Sequence, residues 1–257
     1  MTKFRMISVS VAAAVLLVAG SDSTVTSRAL GSAVAVHQSN ASASGTGEIT
    51  GKVYFRGKPP QLRPILMAKD PVCASEQSGT VLPEDGRVNT NGTLPDAFIY
   101  IAKGTGNLSA TVPTKPVTLM QKGCLYEPHV LGIVVGQPLQ VVTVDPTTHN
   151  VHVTPKAGRD WNVTQQPGSS AITSKFSHPE IMIPVRCNIH PWMEAYIGVV
   201  SNPYFAVTGE DGSFQIKGVP AGDYTLDVWV ATFGTQERQA TVRPGESTTV
   251  EFTFTNQ

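Results

Sequence analysis

Charge is what this chain is short of. Only 15% of its 257 residues are Asp, Glu, Lys or Arg, against about 25% in an average soluble domain. An excess of either sign is missing too, because 19 basic residues meet 19 acidic ones. With no basic field, nucleic acid is excluded as a partner. Apolar stripes of helical period are almost absent after residue 20, which speaks against a helical fold. Long hydrophobic runs are confined to one place, "MISVSVAAAVLLVAG" from Met6 to Gly20.

That run follows Lys3 and Arg5, the layout of a secretory signal peptide, and it is short for a membrane span. Residues 1–20 are therefore expected to be a signal peptide, with an uncleaved anchor as the alternative. Cleavage would remove two basic residues and leave 17 against 19, so a mature chain with no stable membrane span would carry a net charge of −2. No cysteine follows the run to take a lipid. Residues 21–46 are rich in Ser, Ala, Thr and Gly with little periodicity, which reads as a flexible linker. A secreted, periplasmic or cell-surface location follows.

Three cysteines are an odd number for an exported chain. Cys187 has metal-type neighbours, which leaves Cys73 in "KDPVCAS" and Cys124 in "KGCLYEP" to form a disulfide. Two free thiols, or a bridge that uses Cys187, are the alternatives.

What is abundant is turn chemistry and alternation. Gly (23) and Pro (19) punctuate runs of Thr and Val. "GEITGKVYF", "DAFIYIAKG" and the stretch Val117–Asp145 read as strands, the last as three of them. Gln61–Pro95 reads as a long irregular excursion. In "GSFQIKGVPAGDYTLDVWV" and "QATVRPGESTTVEFTF" the apolar residues alternate, with Phe214 and Ile216, Tyr224, Leu226 and Val228, then Val250, Phe252 and Phe254 on single faces. Period two with turn residues at this spacing predicts an all-β sandwich architecture.

"CNIHPWM" places Cys187, His190 and Met193 three residues apart, a thiol, an imidazole and a thioether. Upstream, "DPTTHNVHV" ends an apolar strand and offers His149. His152 would point to the opposite face of that strand and is read as structural or as support around the site. Two imidazoles, one thiolate and a weak thioether suit a single copper in electron transfer. Zinc prefers four firm ligands, iron–sulfur clusters need more cysteines, and a binuclear copper centre would want a second cysteine in the loop. Each residue alone would be ordinary: a buried cysteine, a core methionine, a structural histidine. His129 and His178 lack partner patterns and read as surface residues. Pro191 and Trp192 flank the ligands, and Trp192 reads as core or as part of an apolar docking rim.

"HNVH" followed by "CNIHPWM" resembles the cupredoxins, and the Cys-x-x-His-x-x-Met loop is similar to that of the amicyanins. "CLYEPHVLGIVVGQPLQVVTVDPTTHNVHV" looks like the leading half of a plastocyanin-type domain, and the resemblance covers Val117–Val200. The resemblance implies a Greek-key β-sandwich holding one type 1 copper, with His149, Cys187 and His190 as equatorial ligands and Met193 as the axial one. It gives Asn150 the role of tying the two ligand loops together. "IMIPVR" before the cysteine, "EAY" after the methionine and Arg186 beside the thiolate depart from the family and leave the redox potential open.

"AVTGEDGSFQIKGVPAGDYTLDVWV" resembles the carboxypeptidase regulatory-like family, a small sandwich related to carbohydrate-binding-like modules. Its usual opening matches "GKVYFRGKPP" and "DAFIYIAKG" far upstream. The expected organisation is N-terminal strands at 47–112, a copper domain at 113–201 and a regulatory-like sandwich at 202–257. The copper domain is either inserted into the regulatory-like sandwich or in tandem with it.

Two functions fit. One is an exported copper protein that passes single electrons to a redox partner protein, with the edge of His190 as the exit. The other is a non-catalytic surface module for a glycan or cell-surface partner, whose copper site is vestigial or used for storage. No nucleophile stands beside a base in an enzyme-like arrangement, so the chain is not expected to be an enzyme.

Overall fold

The computed structural model describes residues 45–106 and 111–256, and these form one compact unit. The expected signal peptide and all but the last two residues of the expected linker lie outside the described residues. Among the described residues no helix is long and apolar enough to cross a membrane.

Strand β1 (Thr46–Arg56) is followed by a short helix α1 (Pro71–Ser75) and by β2 (Phe98–Lys103). Next come β3 (Val117–Lys122), β4 (Leu125–Glu127), β5 (Val130–Val134), β6 (Pro138–Thr143) and β7 (His149–Val153). They lead to β8 (Trp161–Gln165), β9 (Ile172–Lys175), β10 (Glu180–Arg186) and β11 (Glu194–Val200). The chain ends with β12 (Phe205–Val207), β13 (Ser213–Pro220), β14 (Gly222–Val230), β15 (Gly234–Val242) and β16 (Ser247–Thr255).

The all-β expectation holds, with two sandwiches. In the first, the sheet β13-β1-β16 faces the sheet β12-β2-β14-β15. Ile49 and Val53 of β1, Ile99 of β2, Leu226 of β14 and Phe252 of β16 fill the space between them. Alternation explains the choice of side chains: in β16 Val250, Phe252 and Phe254 turn inward and their neighbours outward. Each fully buried Ile, Leu or Phe contributes about 1.5–3 kcal/mol.

In the second sandwich the sheet β5-β11-β10-β7-β8 packs on β4-β3-β6-β9. Leu119, Val141, Val151, Ile183 and Ile197 lie in its core. The strand order is that of an insertion. The chain leaves the first sandwich after β2, builds the second from β3 to β11, and re-enters the first at β12.

Two paired glycines make the joint. Gly132 of β5 stands opposite Gly198 of β11, and a Cβ on either would collide with the rings of Phe205 or Phe98. The bare backbone lets these rings lie flat on the second sandwich, together with Val130, Met182 and Val200.

One expectation needs correction. The stretch from Val117 holds four strands, not three, because "CLYEPHVLGIVV" divides into β4 and β5. Pro128 lies between them, with no N–H to continue a ladder. The Gln61–Pro95 excursion carries no strand, and α1 is its one regular element. A Cys73–Cys124 disulfide fastens it to the turn between β3 and β4.

Candidate metal centre

The ligand-type residues meet because two antiparallel neighbours end together. β7 and β10 pair through Val153 with Val185 and His152 with Arg186. This places the start of β7, at His149, beside the end of β10, one residue before Cys187. The Tyr126 hydroxyl donates toward the carbonyl oxygens of Asn150 (2.6 Å) and Arg186 (3.3 Å), joining both strands. Asn150 adds two ties of its own. Its Oδ1 accepts from Asn188 N at 3.2 Å, and its N–H donates to Cys187 Sγ at 3.3 Å. The loop closes on itself through Cys187 N to Met193 O and Met193 N to His190 O.

The donor atoms of His149, Cys187 and His190 all lie within 4.8 Å of one another. His149 Nδ1 and His190 Nδ1 are 3.1 Å apart, and Cys187 Sγ is 3.8 Å from His190 Nδ1. These three residues are 0%, 3% and 2% exposed, and Met193, 0% exposed, lies in the same core cluster as Cys187.

The far nitrogens decide what the near ones can do. His149 Nε2 lies 2.7 Å from Asp145 Oδ2, and His190 Nε2 lies 2.9 Å from Asp70 Oδ2. An ionised carboxylate only accepts, so each Nε2 carries a hydrogen and each Nδ1 is the nitrogen that faces the other imidazole and the sulfur. Two Nδ1 atoms and a sulfur that already accepts N–H bonds from Asn150 and His190 converge in a buried space. A cation at ~2 Å from each nitrogen satisfies them, so the residues present fit a metal of borderline or soft character.

The titration pattern describes the metal-free site, where His149 stays protonated at neutral pH and its Nδ1–H takes the place a cation would fill. Burial works against the His149 imidazolium, but Asp145 and Cys187 outweigh it and push its pKa up to about 9. Burial likewise opposes the Cys187 thiolate, yet His149 and the backbone N–H groups of His190 and Asn150 hold it below the usual thiol range. Asp145 is held below the carboxylate range by His149 and the Cys124 and Gly123 N–H groups, against its burial. Asp70 is lowered by the Cys73 N–H and by His190.

Other candidates fall outside the cluster. His152 turns away and meets Asn188 and Asp160. Trp192 is half-buried, its ring 5.2 Å from that of His190 and its Nε1 donating to Cys124 O at 3.0 Å. Pro191 is exposed beside it. Arg186 pairs with Glu194, away from the sulfur. His178 is exposed as expected.

Two expectations are corrected. His129 is not a surface residue: it is buried, with Nε2 2.8 Å from Asp85 Oδ1. The edge of His190 is not an open exit either, since Asp70 and Cys73 cover it, with Cys73 Sγ 3.5 Å from Nε2.

Sequence reasoning missed Asp145, Asp70 and Tyr126. Asp145 stands four residues before His149, a short-range signal that a carboxylate search around the histidine would have found. Asp70 is 120 residues from His190 and Tyr126 is 60 from Arg186, with no local mark.

The model of the carboxypeptidase regulatory-like domain family matches residues 194–255, from β11 to the end of β16. No curated protein matches the chain in sequence. Among solved structures, a copper-containing nitrite reductase from Thermus scotoductus SA-01 is 23% identical over 38% of this chain, with a TM-score of 0.32. The chain spans 25% of that enzyme. A purple cupredoxin from Nitrosopumilus maritimus is 19% identical over 32% of this chain and 98% of its own, TM-score 0.28. An amicyanin variant in its Cu(I) form is 17% identical over 40% and 98%, TM-score 0.30.

Proposed function

We propose that the chain is an exported copper protein that carries single electrons, with His149, Cys187, His190 and Met193 holding one copper. The observation that carries this reading is the convergence of two Nδ1 atoms and the Cys187 sulfur, each Nε2 being held by a carboxylate. Copper so held supplies a one-electron couple. The protein residues do the rest. Asp145 and Asp70 keep each Nε2 protonated and each ring oriented, Asn150 locks the two ligand segments together, and the buried setting excludes water. The Cys73–Cys124 disulfide supports export, since such bonds persist in oxidising compartments.

In this reading residues 113–201 are the copper domain, and 47–112 with 202–257 form a regulatory-like sandwich that it interrupts. A redox partner protein is the proposed acceptor. The match at 194–255 favours a second reading, a non-catalytic module for a glycan or cell-surface partner, with copper stored or the site vestigial. Voltammetry of the copper-loaded protein separates them. Electron transfer requires a reversible one-electron wave, and a loaded protein without one leaves the module reading.

A further inference from the structure

The excursion between β1 and β2 belongs to the first sandwich by sequence, yet it reaches the metal centre of the second. Asp70 caps α1, its Oδ1 accepting from Val72 N and Cys73 N at 3.0 Å each. Those two bonds leave Oδ2 pointing at His190 Nε2, 2.9 Å away. Three residues on, Cys73 is bridged to Cys124. Gly123 N and Cys124 N in turn donate to Asp145 Oδ1 (2.6 Å) and Oδ2 (2.8 Å), the carboxylate that holds His149. One disulfide thus joins the supports of both histidines. Gln77 Nε2 donating to Gly123 O, and Trp192 Nε1 donating to Cys124 O, fasten the same turn.

We infer that Asp70 is a positioning residue of the metal centre, and that the disulfide-fastened strap carrying it is a fixed cap closing the His190 side. This rests on the copper reading above. Both cysteines are fully buried, which shields the bridge from external thiols and makes the cap a permanent part of the site. Electrons that leave by His190 must then cross the strap, because no partner can touch the imidazole itself.

Two variants separate the parts of this inference. Asp70→Asn keeps an oxygen for the two α1 N–H groups but turns an NH₂ group toward His190 Nε2. The ring then has no acceptor there and shifts its hydrogen to Nδ1, the atom a metal needs. Nitrogen NMR of the metal-free protein should report that exchange of tautomer, and copper affinity should fall about 10–100-fold while the melting temperature stays near that of the wild type. An unchanged tautomer and unchanged affinity would overturn the positioning role.

The pair Cys73→Ser with Cys124→Ser leaves Cys187 as the single cysteine, as it is the single free thiol in the bridged wild type. In metal-free native protein, iodoacetamide should modify it at least about tenfold faster than in the wild type, since a buried thiol reacts through local opening. Equal rates would overturn the closure. The Cys73→Ala, Cys124→Ala pair, apolar where both sulfurs are buried, gives the same readout if the serine pair does not fold. Neither readout on metal-free protein needs copper, so a wild type that shows the tautomer and protection but no copper colour would sink the copper reading alone.

Discussion

His149 and His190 turn their Nδ1 atoms to one another at 3.1 Å, while their Nε2 atoms rest on Asp145 and Asp70. The pairing points both Nδ1 atoms at one place that a cation can fill, and it ranks the residues nearby. His149→Ala should abolish stoichiometric copper binding. His152→Ala should leave it intact, because that side chain sits with Asp160 and Asn188 instead. Equilibrium dialysis of both variants against Cu(II) checks this, and the reverse order would misplace the ligand set.

The disulfide closes a sequence separation of 51 residues. In the loop-entropy picture this stabilises the fold by about 4 kcal/mol. Denatured, unreduced protein should expose one thiol to Ellman's reagent, and reduction should raise the number to all three cysteines of the chain. Denaturant midpoints of the Cys73→Ser, Cys124→Ser protein should fall accordingly.

His129 offers a pH test away from the metal. Burial disfavours its imidazolium, but Asp85 and Glu84 more than compensate, and its pKa is raised. Asp85 is lowered, since His129 and Tyr196 outweigh its burial. A raised histidine contributes stability that is complete below its unfolded value and is lost as pH climbs through the folded one. A lowered carboxylate contributes above its unfolded value and loses it as pH falls. The deficit of His129→Gln should thus be greatest between about pH 4 and about pH 6.5 and shrink at alkaline pH. Urea titrations across that range measure it, and a deficit growing with pH would contradict the pair.

Gly198→Ala tests the joint. Its added Cβ would meet the Phe98 ring and the Met182 methyl, an overpacking that costs about 1–3 kcal/mol. Copper stoichiometry should not change, because the glycine lies on the far part of β11 from the ligand loop. Wild-type stability in this variant would mean the rings are not tightly seated.

The legibility of the chain followed the range of its signals. Alternation along β13, β14 and β16 is local, so the sandwich class could be read directly. Cys187 and His190 share one loop and His149 ends the neighbouring segment "DPTTH", so the meeting of these three was visible too. The four-strand division around Pro128 was not, because β4 spans only Leu125–Glu127, too short to show a period. Burial of His129 depends on Asp85, 44 residues upstream. The closing of His190 depends on a strap whose sequence, rich in turn formers, carries no mark of its target. Long-range polar pairs leave no periodicity behind, and the exit at His190 was misjudged for that reason.

A single copper bound through Cys187 carries its own optical signature. Purified mature protein titrated with Cu(II) should take up about one equivalent and develop the intense visible band of thiolate-to-copper charge transfer, bleached by ascorbate and absent from Cys187→Ser. A protein that stays colourless at saturation, or one whose colour survives Cys187→Ser, would contradict it.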